Sequence, residues 1–78
     1  MTSRDKFIER VKTGNRTIQL AEADKFLLDE GFRVRRTKHT YLFSRAGHRI
    51  TFNAHYKTLH PKAVKELREL FIELGIIQ

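Results

Sequence analysis

Apolar residues recur along this chain with two different periods, and the change of period divides it into helical and extended parts. From Ser3 to Lys12, Phe7, Ile8 and Val11 share one side at helical spacing. Thr2 followed by Asp5 fits a capping box, and Gly14-Asn15 ends the segment because both residues tolerate positive φ. A second helix is predicted from about Gln19 to Glu30. Leu20, Ala23, Phe26 and Leu27 form its apolar stripe, and Glu22, Asp24, Lys25 and Asp29 its wet side. Gly31 stands where a helix C-terminus favours a left-handed residue.

The period then falls to two. Phe32 to Thr37 alternates, with Phe32 and Val34 opposed to Arg33 and Arg35. His39 to Ser44 is a second strand, and Arg45-Ala46-Gly47 a short hairpin connection. His48 to Asn53 is a third, with Ile50 and Phe52 opposed to Arg49 and Thr51. In the middle strand Tyr41 and Phe43 share one side and Leu42 takes the other, so alternation leaves its facing open. Asn53 to His60 reads as a loop. Pro61 suits the first turn of a last helix, whose stripe is Ala63, Val64, Leu67, Leu70, Phe71 and Leu74. Gly75 and Ile76 resemble its cap.

The fold class is therefore α+β, in the order α-α-β-β-β-α, with a three-stranded antiparallel sheet carrying helices on one face. Its last five elements follow the order of the double-stranded RNA-binding domain, which bears on fold and not on activity. At 78 residues the chain suffices for a single domain, and neither linker nor repeat interrupts it.

Charge narrows the class of partner. Sixteen Lys and Arg against nine Asp and Glu give a net charge of +7, which favours polyanions. No cysteine is present, the polar N-terminus lacks a secretory signal's apolar run, and no stretch is apolar enough to span a membrane. A cytoplasmic protein without membrane contact is expected. Arg33, Arg35, Arg36 and Lys38 concentrate positive charge, Arg49 can join them from the third strand, and Tyr41 can stack on a base if it faces outward. The competing reading is a strand face kept charged against edge pairing. His39 stands beside this cluster, and an imidazole there can move a proton to or from a ribose 2′-hydroxyl without a metal. His48, His55 and His60 lack cysteine or clustered carboxylate partners, so neither a metal site nor any cofactor is expected.

In order along the chain, Leu27-Leu28, Gly31-Phe32, Arg35-Arg36, a His39 strand with Phe43 after it, Asn53, a basic loop and Pro61-x-x-Val64 resemble the HicA-type mRNA interferase toxins. The similarity spans most of residues 1–78, with residues 1–15 as an additional N-terminal helix found in one branch of that family. It implies a fold like the double-stranded RNA-binding domain and endonuclease cleavage of mRNA by one histidine, here His39. It also implies a toxin–antitoxin pairing, in which an antitoxin protein covers the basic face. The alternatives from the residues alone are a noncatalytic RNA-binding module and a basic face that docks an acidic protein.

Overall fold

The computed structural model describes residues 3–14 and 17–77, and its elements follow the expected order. They are α1 (Ser3–Lys12), α2 (Leu20–Asp29), β1 (Arg33–Arg36), β2 (Thr40–Arg45), β3 (His48–Asn53) and α3 (Pro61–Glu73). The capping box at Thr2 and the break at Asn15 fall outside the described residues. The three strands form one antiparallel sheet in the order β1-β2-β3.

Helix ends follow local chemistry. The backbone N–H of Gln19 donates to the Glu22 carboxylate (3.3 Å) ahead of α2. At the start of α3, His60 Nδ1 accepts from the Lys62 N–H (3.1 Å), and Pro61 takes the first helical position. After α3, the Ile76 N–H reaches the Phe71 carbonyl (2.8 Å) and Gly75 adopts φ 78°, the left-handed cap anticipated from the sequence.

One core lies between the sheet and the helices. Phe7, Phe26 and Phe71, from α1, α2 and α3, form an aromatic cluster with centroids 4.9 to 6.3 Å apart. Phe43 and Phe52 meet on the covered side of the sheet at 5.7 Å. The first helix is thus part of the core, since Phe7 and Val11 are both buried.

Two local features differ from the expected pattern. The Asn53–His60 segment is more than a polar loop. Gln19 bridges Thr58, Leu59 donates to the Ile18 carbonyl (2.8 Å), and both Ile18 and Leu59 are buried. The β2–β3 hairpin turns on two residues, Ala46 (φ 48°) and Gly47 (φ 84°), because Arg45 already pairs with His48. Two successive positive φ values mark a type I′ turn, whose twist matches that of the strands.

A candidate nucleic-acid interface

Register decides which side chains share the uncovered face of the sheet. Val34, Phe43 and Ile50 are cross-strand neighbours on the core side. Side chains alternate across a strand, so the next row, Arg33, Ser44 and Arg49, lies on the open side. Two residues further along stands the row Arg35, Leu42 and Thr51, and beyond it Thr40 beside Asn53. Arg33, Arg35 and Arg49 are exposed, and none has an ion pair among the described residues. Together with Ser44, Arg45 and the Ala46-Gly47 turn they line a shallow depression of about 700 Å³.

Arg36 and Tyr41 do not join this face. They are cross-strand partners in the same alternation as Val34 and Phe43, so both look toward the helices. The Arg36 guanidinium bonds both oxygens of Asp24 on α2 (3.0 and 2.8 Å) and lies 5.4 Å from the centre of the Tyr41 ring. Its hydrogen bond to Asp24, aided by the attraction of that carboxylate, pushes the guanidinium up from its ordinary value, so Arg36 stays charged and occupied. Tyr41 is half-buried against the core, which resolves the facing that alternation left open.

His39 sits one residue ahead of β2 rather than within it. Thr37 closes the preceding turn: its N–H donates to the Thr40 carbonyl (2.8 Å), and its Oγ1 accepts from the Thr40 N–H (3.0 Å). Lys38 and His39 therefore occupy an exposed tip, with Lys38 outside the strand pair. Antiparallel pairing brings the residues after β3 against this tip. The Ala54 N–H donates to the His39 carbonyl (2.9 Å), and His39 Nδ1 lies 2.7 Å from His55 Nε2. The Asn53 Oδ1 accepts from the His55 N–H (2.8 Å), which fixes the second loop. Tyr56 follows at 64% exposure, an outward aromatic on the same loop.

On the sequence His55 was weighed only as a metal ligand, and Tyr56 was not singled out. Counting outward from a two-residue Ala46-Gly47 turn pairs Thr40 with Asn53 and sets His39 against Ala54 and His55. The signal was present in the hairpin.

Charge is segregated along the chain. Between Gly31 and Lys65 there are nine Lys and Arg and no Asp or Glu; all nine carboxylate side chains lie outside that span, on helical segments or at the α2 cap. The open face is consequently cationic with no acid of its own. Among the described residues no group of three or more potential metal ligands occurs, and no helix is long and apolar enough to cross a membrane.

No family model matches the chain, and no curated protein or solved structure was found similar to it.

Proposed function

We propose that this protein binds RNA across the open face of its sheet and cleaves it slowly at His39, as a HicA-type toxin does to mRNA. The supporting observation is the acid-free cationic face, where Arg33, Arg35 and Arg49 stand exposed without ion pairs among the described residues. Guanidinium groups recognise phosphate oxygens with a planar fork of donors, and a strand-spaced row of them suits a string of phosphates. Lys38 and His39 stand at the exposed tip between β1 and β2, where an imidazole can exchange protons with a ribose hydroxyl. The cytoplasm is the expected compartment, and the expected partner is an antitoxin with an acidic surface that covers the arginines.

The reaction needs no metal. The 2′-hydroxyl gives its proton to His39 Nε2 as its oxygen attacks the adjacent phosphorus. The bond to the 5′-oxygen breaks, and the same proton passes to that leaving oxygen. Cyclic phosphate and a free 5′-hydroxyl are the products, with protons balanced throughout. Lys38 adjoins His39 in the chain, and Arg35 is the open-face arginine next nearest to it in sequence, so these two cations are the ones offered for charge building on the phosphate.

The test is a gel of RNA incubated with wild type and with His39→Ala. Cleavage by the former and intact but bound RNA with the latter is the expected result, together with growth arrest on expression that His39→Ala relieves. Bound but intact RNA with both proteins leaves a noncatalytic binding module. Absence of RNA binding at low salt rejects the whole reading and favours an acidic protein partner.

A further inference from the structure

The contact between His39 and His55 lies outside the buried core, since both residues are exposed. At 2.7 Å between Nδ1 of His39 and Nε2 of His55, one hydrogen joins the two rings, and one nitrogen must accept while the other donates. Two further bonds hold the loops that carry them: Ala54 N–H to the His39 carbonyl, and His55 N–H to Asn53 Oδ1. The pair is therefore prearranged by the end of the sheet and not by chance meeting of long side chains.

We infer that His55 is the positioning residue of His39, holding its Nδ1–H so that the Nε2 lone pair faces the RNA. This rests on the cleavage reading above. An imidazole has two nitrogens, and the hydrogen bond at one of them selects the tautomer at the other. When His39 donates from Nδ1 to His55, its Nε2 is bare and serves as the base. When Nε2 takes the 2′-hydroxyl proton, the ring carries hydrogen on both nitrogens, and His55 continues to accept from Nδ1. The orientation thus survives the proton transfer without any atom changing place. A buried carboxylate plays the same part beside catalytic histidines elsewhere, by geometry and tautomer. Here the acceptor within reach is the His55 ring and not a carboxylate. Lys38 and Lys57 share the two loops with the histidines, Arg35 and Arg36 end β1, Tyr56 follows His55, and the span from Gly31 to Lys65 contains no carboxylate side chain.

The inference also says which replacements of His55 preserve function. A glutamine offers a side-chain oxygen that can accept from Nδ1. A lysine only donates, so it forces the other tautomer and places the hydrogen on Nε2, where the base should be. Alanine removes the partner altogether. All three changes fall at an exposed position and leave the core untouched.

Two measurements on the full chain test this. Imidazole nitrogen NMR reads the His39 tautomer in wild type, His55→Ala, His55→Gln and His55→Lys. Cleavage and binding of a single-stranded RNA give kcat and KM for the same four proteins. The Nδ1–H form of His39 is expected in wild type and His55→Gln, with loss of that bias in His55→Ala and the Nε2–H form in His55→Lys. Of positioned acid–base catalysis, which contributes about 10²- to 10⁴-fold, a tenfold to hundredfold share of kcat should be lost in His55→Ala at unchanged KM and in His55→Lys, with His55→Gln recovering most of it. Cleavage by wild type that His55→Ala leaves unchanged overturns this inference alone. A His39 tautomer indifferent to His55 overturns it as well. RNA left intact by wild type overturns the cleavage reading and this inference together.

Discussion

Replacing Arg33, Arg35 and Arg49 together by glutamine tests the open face by counting charges. The three project from β1 and β3 on the uncovered side, with Ser44 and Leu42 of β2 between them. Each phosphate neutralised on a single strand contributes about 0.7 to the slope of log affinity against log salt, so these three with Lys38 predict a slope of about −2.8. Between 50 and 200 mM salt the wild-type affinity should then fall about 50-fold. With Lys38 alone remaining, the slope should shrink to about −0.7 and the fall to about threefold. Arg36→Gln is the internal control. It removes the same charge from the neighbouring position, but from the helix side, where Asp24 already holds it. Fluorescence anisotropy of a labelled RNA, titrated at several salt concentrations in the His39→Ala background, gives all the slopes without cleavage. A triple variant with the wild-type slope refutes the open-face interface. So does an Arg36→Gln slope reduced as much as that of Arg33→Gln.

Tyr41→Phe should leave RNA affinity unchanged, because the ring faces the helices; a loss equal to that of Arg33→Gln contradicts the strand facing. Phe7→Ala removes a ring stacked on Phe26 and edge-on to Phe71, and should cost about 3 kcal/mol in a urea melt, the lower part of the usual range because α1 is at the edge of the core. A loss below about 1 kcal/mol in that melt means that α1 is not part of the cooperative fold. Ala46 holds a left-handed conformation that costs an ordinary L-residue roughly 1–2 kcal/mol, so Ala46→Asn should raise the melting temperature; no rise contradicts the type I′ assignment.

Some of this was readable from the order of residues alone and some was not, for reasons that differ residue by residue. Ile50 and Phe52 against Arg49 and Thr51 disclosed the facing of β3, because polar and apolar positions separated cleanly. Tyr41-Leu42-Phe43 did not, since all three are apolar or aromatic; only the register Val34, Phe43, Ile50 assigns their sides. Arg36 shared the parity of Val34, but four cations within six residues drew attention to charge density and away from alternation. His55 was hidden by the turn. A three-residue connection at Arg45-Ala46-Gly47 displaces the pairing by one, and a one-residue slip exchanges the faces of a strand. The two-residue turn restores the register and brings the two histidine loops together.

The distribution of carboxylates separates what holds the fold from what the open face is for. Each ion pair seen among the described residues ends on or beside a helix: Arg4 with Glu30, Arg10 with Glu22 and Arg36 with Asp24, and the His48 ring likewise approaches Glu73. These contacts tie α1 and the sheet to α2 and α3. Arg33 and Arg49 have no such duty, and they stand two strand spacings apart, about 10 Å, across Ser44. Like charges at that distance repel, so their presence burdens the folded state slightly instead of supporting it. On the proposed reading, removing them changes binding capacity and not architecture. The histidine pair lies beyond the other end of β2, since Thr40 and Ser44 are four residues apart on that strand, about 14 Å. On the proposed reading, an RNA held at both ends runs along the strands, with the phosphate to be cut beside His39 and phosphates farther along the RNA reaching the arginines. Short RNAs that reach only one end lose affinity or cleavage separately, and a strand long enough for both gains them together.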